Sequence, residues 1–148
     1  MSALPAPPEG LIDGRLHRFA VRAYFEDTDL SGVVYHANYL RYFERGRSDF
    51  LRVAGVSHSA LLESPDPAAF AVTKITVEFR RAARIDDALT VRTTYDLVKG
   101  PRLFIGQRIL RGDELIATAQ VEAACIDSSG RARRPPPGLV EALRPLFS

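Results

Sequence analysis

Glu26-Asp27-Thr28-Asp29-Leu30-Ser31-Gly32-Val33-Val34-Tyr35-His36-Ala37-Asn38-Tyr39 is the stretch on which this chain turns from strand to helix. Upstream of it, Leu16 to Phe25 alternates. Phe19, Val21, Ala23 and Phe25 fall on one face and Arg18, Arg22 and Tyr24 on the other, which reads as a half-buried strand. Downstream, a helix begins near Ala37 and runs to about Ala54, stopped by Gly55. Leu40, Phe43, Phe50, Leu51 and Ala54 fall near one face of it, with Tyr39 beside them. The linking loop therefore ends where the orphan amides of the longest apolar helix accumulate. A carboxylate placed just ahead of such a helix can attack a carbonyl or activate water, while the helix-end amides stabilise the negative charge that develops on oxygen.

Beyond that helix, Val56 to Ala68 reads as a loop with a short helical turn at His58 to Glu63, closed by Pro65 and Pro67. Four strand signals follow. Ala71, Thr73, Ile75, Val77 and Phe79 share a face, as do Leu89, Val91, Thr93, Tyr95 and Leu97. Leu103 to Leu110 is a third run. Leu115, Ala117, Ala119, Val121, Ala123 and Cys125 form a fourth. The breaks at Asp86-Asp87, Lys99-Gly100-Pro101 and Gly112-Asp113 are short, which favours antiparallel neighbours. One long helix and a set of antiparallel strands predict an α+β fold in which the sheet's apolar face wraps the helix. The sheet keeps open edges, so pairing with a second copy is expected.

A chain of 148 residues is read as one domain. Residues 1–14, with Pro5, Pro7 and Pro8, read as a flexible N-terminal arm, residues 15–130 as the domain proper, and 131–148 as a basic, proline-rich tail closing in a short helix at Leu139 to Leu146. The net charge of +2 is too mild to imply nucleic acid, and no apolar run approaches the length of a membrane span. The N-terminus lacks the basic and apolar regions of a signal peptide, and the single cysteine, Cys125, cannot form an internal disulfide. A cytoplasmic location is the expectation.

Within the loop, Asp27 and Asp29 are two apart and point the same way in an extended segment. Taken as composition alone they are equally consistent with a plain turn, because Asp and Ser favour turns and Gly32 permits positive φ. His36 has two readings, an imidazole acid/base or a backbone N–H donor, and Asn38 is a candidate helix cap. Glu44 is read first as the partner of a nearby arginine such as Arg45 or Arg47, and second as another functional acid. Gly55-Val56-Ser57-His58-Ser59 lacks the last glycine and the preceding strand of a nucleophile elbow. Cys125 sits on the apolar phase of a strand, which is packing. His17, His36 and His58 have no metal-ligand spacing, so no metal is expected. Clustered arginines at Arg80, Arg81 and Arg84 and at Arg131, Arg133 and Arg134 are the candidates for phosphate contacts, although solvated loop arginines explain any one of them.

The run from Tyr24 to Arg45 resembles the signature of the 4-hydroxybenzoyl-CoA thioesterase-like branch of the hotdog-fold acyl-CoA thioesterases, most of all the subfamily associated with the bacterial Tol-Pal gene cluster. The specific part is Asp-x-Asp, a glycine three residues later, then Val-Tyr-His-Ala-Asn-Tyr, and the strand pattern extends the likeness over roughly 18–126. The resemblance implies a hotdog fold, a long central helix wrapped by a five- or six-stranded antiparallel sheet. It implies a homodimer or a dimer of dimers, a homotetramer, with the active site at the dimer interface. It implies hydrolysis of an acyl-CoA thioester without metal or cofactor, CoA being part of the substrate. The catalytic acid matches Asp29, and the amide that polarises the carbonyl matches the N–H of His36. Asp27, Tyr35, Asn38 and Glu44 take supporting places. Arg81, Arg84 and Arg134 are weak candidates for the CoA phosphates. Leu30-Ser31 departs from the pattern, which commonly has small residues or proline there. The alternatives are a hydratase or dehydratase acting on a thioester, for which His36 and Glu44 would be the acid/base pair, and a non-catalytic module that binds acyl-CoA or acyl carrier protein.

Overall fold

The computed structural model describes residues 3–147. Six strands make one antiparallel sheet: β1 (Leu11–Asp13), β2 (Leu16–Arg22), β3 (Ala69–Phe79), β4 (Ala88–Lys99), β5 (Arg102–Arg111) and β6 (Glu114–Ile126), in the order β1-β2-β4-β5-β6-β3. Helix α1 (His36–Val53) crosses one face, α2 (His58–Glu63) leads into β3, and α3 (Pro137–Leu143) closes the chain. The central helix wrapped by an antiparallel sheet is the arrangement the sequence pattern predicts; the alternation marks five of the strands, and with β1 the six fall within the five or six that the resemblance implies.

The core forms where α1 meets the sheet. Tyr39, Tyr42, Phe43, Phe50 and Leu51 turn inward onto Leu89, Val91, Tyr95, Leu103, Ile105, Ile109 and Val121. Gly46 sits at the closest approach, where an added Cβ would lie 2.7 Å from Val91 Cγ1 and 3.1 Å from Thr93 Oγ1. A helix-interior glycine is unfavourable by itself, so here it marks backbone resting on strand. Polar pins fix the helix along β4 and β5. The Gln107 amide donates to the Phe43 carbonyl (2.8 Å) and to Thr93 Oγ1 (2.9 Å), while Arg47 donates to Gln107 Oε1 (3.0 Å). The Tyr95 hydroxyl donates to the Arg47 carbonyl (3.2 Å), and burial pushes its phenol well above the ordinary range.

Four departures from the sequence reading have physical causes. The arm expected over 1–14 ends early, because Leu11–Asp13 pair with β2 through a tight turn at Gly14. Gly10 is anchored there: its N–H donates to Asp49 Oδ2 (2.8 Å), which is also bound by the buried His17 Nε2 (2.6 Å). Met1 and Ser2 of that arm, and Ser148 of the tail, lie outside the described residues. Strand β2 stops at Arg22 rather than Phe25. Asp27 Oδ2 accepts the Tyr24 N–H (2.9 Å) and folds 25–27 into a 3-10 turn, leaving Phe25 81% exposed. Register shifts in β3 and β4 break the expected alternation. Thr73 turns outward with Phe70 packed on the core, and Leu97 is exposed while Val98 packs on the core. In the tail, the helix starts at Pro137, two residues before the expected Leu139, where proline suits a first helical turn; it is α-helical to Leu143 and continues as a 3-10 turn over Arg144–Leu146, and Leu139 and Leu143 join the core.

Candidate active site

The acidic loop is braced from both sides. The Asp27 main-chain carbonyl accepts the Tyr35 N–H (2.9 Å) and the Asn38 side-chain amide (2.8 Å), so the strand end and the helix start are tied through one oxygen. Asn38 is therefore not the helix cap that its position suggests. Tyr35 occupies the cap position in an extended conformation, and the buried Asn38 reaches back to Asp27 instead. Asp27 itself is buried, and with burial it raises the phenol of neighbouring Tyr42.

Between these ties the chain makes a small closed loop. The Asp29 N–H donates to the Val33 carbonyl (3.0 Å), and Gly32 at φ +80° donates to the Asp29 carbonyl (3.1 Å). Positive φ is what glycine supplies at that corner. The Asp29 side chain is exposed. Its Oδ1 accepts both the N–H (2.8 Å) and the hydroxyl (2.5 Å) of Ser31, and these donors hold the carboxyl below its ordinary range. Asp29 is therefore an ionised carboxylate at neutral pH.

His36 is the first residue of α1, with an exposed side chain that packs beside Tyr35 and edge-on to Phe79. Among the described residues, no protein acceptor meets the main-chain amides of His36 and Ala37. They open beside a cavity of about 280 Å³ lined by Val34, His36, Tyr39, Phe79, Arg81 and their neighbours. The macrodipole of an 18-residue helix adds positive potential at this end.

The opposite wall is the connection from β3 to β4, of which the sequence reading named only Arg80, Arg81 and Arg84, as phosphate candidates. The Val34 N–H donates to the Ala83 carbonyl (2.8 Å), Ile85 N–H to the Gly32 carbonyl (3.2 Å), and Ala83 N–H to the Tyr39 hydroxyl (2.9 Å). That wall is held in turn by Asp87, which accepts the Arg84 N–H (2.8 Å) and Arg111 Nη1 (2.7 Å). Arg111 also binds the Ala82 carbonyl (3.2 Å) and pairs with Glu114, whose other oxygen meets Arg81 (3.2 Å). In sequence, Asp87 reads as a turn residue and Arg111 and Glu114 as strand ends. Nothing local marks them, because only sheet register brings them to the loop.

The remaining sequence candidates divide. Arg81 lines the cavity beside His36, and Arg84 bridges Val33 through its main chain. Arg134 lies elsewhere, in a separate hollow with Val98, Gly100 and Val140 at the far end of the 12-residue β4, roughly 35–40 Å from its start at about 3.3 Å per residue. Glu44 is eight residues along α1 from His36, about 12 Å at 1.5 Å per residue. Its carboxylate binds Arg47 (2.9 Å) and Ser48 (2.8 Å), the pairing read first from sequence. Ser57 caps α2 by accepting the Ala60 N–H (3.1 Å). Cys125 is buried, and burial pushes its thiol up. Among the described residues, no group of His, Cys, Asp and Glu is arranged to hold a metal ion, and no helix is long and apolar enough to cross a membrane.

Comparison with known proteins gives this geometry its family. Residues 24–143 match the model of the thioesterase-like superfamily, a span that begins in the acidic loop's own approach and ends in α3. The chain belongs to that superfamily. Within this thioesterase-like family, it is 42% identical over 109 residues to the acyl-CoA thioesterase YbgC of Haemophilus influenzae, covering 74% of this chain and 79% of that one. It is 42% identical over 113 residues to the acyl-CoA thioester hydrolase YbgC of Escherichia coli, covering 76% and 83% respectively. The crystal structure of a probable thioesterase from Bartonella henselae superposes with a TM-score of 0.80 at 44% identity, over 82% of this chain and 99% of that one. The thioesterase-like match takes in Asp29, His36 and the 80–87 wall together.

Proposed function

We propose that this protein is a thioester hydrolase that cleaves an acyl-CoA to the free acid and CoA at the junction of the acidic loop and α1. The observation that carries the reading is the pairing of an ionised Asp29 on a braced loop with the unpartnered amides of His36 and Ala37 at the helix start. The thioester oxygen would lie against those amides, where preorganised donors stabilise a tetrahedral oxyanion. Attack by Asp29 Oδ2 on the carbonyl carbon would form a mixed anhydride and expel CoA thiolate, which takes a proton from water. Water then adds to the anhydride and releases the acid and the regenerated carboxylate, and the remaining proton of that water neutralises the hydroxide left by protonation of the thiolate. In the alternative, Asp29 takes a proton from water as the water attacks. Hydrolysis by either route calls for no cofactor.

A hydratase would need Glu44 as a free acid/base, whereas its carboxylate is held by Arg47 and Ser48. The supporting roles follow from the ties described: Asp27, Tyr35 and Asn38 hold the loop to the helix. Arg81, which lines the cavity beside His36 together with Arg80, and Arg84, whose main chain meets Val33, would be the arginines that meet CoA phosphate. The open edge of β3, with exposed Val72, Phe79, Tyr35 and a fully exposed Leu30 beside the loop, favours a homodimer that covers this face, and further pairing into tetramers. A cytoplasmic site of action and an acyl-carrier-protein thioester as a second substrate class belong to the same proposal.

Replacing Asp29 by Asn keeps the shape and removes the charge. Thioester hydrolysis, followed as free CoA thiol, is expected to fall about a hundredfold or more with an unchanged circular-dichroism spectrum. Turnover near that of the unmodified protein would overturn the role given to Asp29.

A further inference from the structure

We propose that Ser31 is a positioning residue for the reaction, fixing which oxygen of Asp29 faces the substrate. The proposal rests on the hydrolytic reading above and extends it to a residue to which the resemblance gives no role.

The geometry is specific. The Ser31 N–H and hydroxyl converge on one oxygen, Oδ1, at 2.8 and 2.5 Å. Both donors from Ser31 fall on Oδ1. Oδ2 is left as the oxygen with free lone pairs, and rotation about the Asp29 side chain would break both bonds together. A charged acceptor shortens and strengthens such bonds, so the hydroxyl acts on an otherwise exposed group.

The same Asx turn recurs at Asp127, whose Oδ1 accepts the N–H (2.9 Å) and hydroxyl (2.7 Å) of Ser129 and the Arg131 N–H (3.0 Å). That turn only shapes a loop. What separates Asp29 is its place: its loop is stapled to Tyr35 and Ala83 and leads directly into the unpartnered amides of α1.

The charged and titratable groups around Asp29 leave the serine as the principal control. Glu26 and Asp27 lie on the preceding 3-10 turn, with Asp27 committed to the Tyr24 N–H. His36 starts α1, and Arg84 meets the loop through its main chain at Val33. None of these charges is among the causes of the lowered carboxyl, which are led by the Ser31 hydroxyl and the Ser31 N–H, with the N–H of Asp29 itself adding a smaller pull. Removing the hydroxyl therefore raises the Asp29 pKa, and the acidic limb of the rate profile moves to higher pH.

The test uses the full chain, measuring kcat and KM for one acyl-CoA across pH 4 to 8 for the unmodified protein and for Ser31→Ala, Ser31→Thr and Asp29→Asn. Ser31→Ala is expected to lower kcat about tenfold with KM nearly unchanged, since misorientation of a reacting group is a kcat effect. Its acidic limb in kcat/KM should shift upward, and Ser31→Thr, which keeps the hydroxyl, should restore both. An unshifted limb with unchanged kcat in Ser31→Ala overturns the proposal. Equal loss in the Ala and Thr variants also overturns it, because loop shape rather than the hydroxyl would then be responsible. If Asp29→Asn stays active, the hydrolytic reading falls and this proposal with it. An inactive Asp29→Asn beside an unaffected Ser31→Ala defeats this proposal alone.

Discussion

At the scale of single residues, His36 separates side-chain from main-chain chemistry. Its imidazole is exposed, while its N–H points from the first turn of α1. Proline is well tolerated at a first helical position, and the preceding Tyr35 at φ −64° and ψ 133° already has the extended conformation that proline demands of its neighbour. His36→Pro thus deletes one donor and keeps the helix, whereas His36→Ala deletes the ring and keeps the donor. The expected turnover loss is about 10²–10³-fold for the proline variant and less than about tenfold for alanine. Equal losses in steady-state assays of the two variants would reject the amide's role. Asp29, Gly32 and His36 were legible in the primary structure because their spacing places an acid, a corner and a helix start in order. Asn38 was misread because a helix-start asparagine favours capping in general, and only the nearby Asp27 carbonyl draws it elsewhere.

At the scale of elements, α1 and the sheet decide where the reaction centre stands. Gly46 lets α1 rest on β4, and a methyl there would meet Val91 and Thr93 inside contact distance. Gly46→Ala gains helix propensity of up to about 1 kcal/mol. The overpacking it causes costs more, so a net destabilisation of about 1–2 kcal/mol is expected from urea unfolding. A stabilised variant would show that the helix can lift without penalty. The strands were read nearly residue for residue from alternation, because one face is buried and the other is wet. The errors fall at the register shifts near Thr73 and Asp96, where one extra residue reverses the faces without a local marker. The short β1 went unread because three residues carry too little pattern, and its place depends on Gly10 fitting against Asp49.

At the scale of the whole molecule, His17 and Asp49 fasten the first hairpin to the central helix in a buried pair. His17 lies against Phe19 and Phe50, and desolvation lowers its pKa despite the opposing pull of Asp49. The folded protein therefore prefers neutral His17, while the unfolded chain takes up its proton near pH 6.5. This contribution to stability is complete above about pH 6.5 and is lost as pH falls from there through the lowered folded value. Urea midpoints measured from pH 7.5 to pH 5 should fall for the unmodified protein and fall less steeply for His17→Gln. Parallel slopes would show that the pair does not govern acid stability.

The sequence by itself determined the single helix, the antiparallel strands and the acid–glycine–histidine junction, because each is a local periodicity or a short fixed spacing. Tertiary structure alone decided the wall opposite that junction. Ala83, Asp87, Arg111 and Glu114 reach the loop through sheet register and the β3–β4 connection. The placement of Arg81 by the helix start and of Arg134 at the far end of β4 has the same origin. The physical reason is common to all of them. Hydrogen bonds between distant segments exist only once burial of α1 has set the register, and no local pattern encodes a partner many residues away.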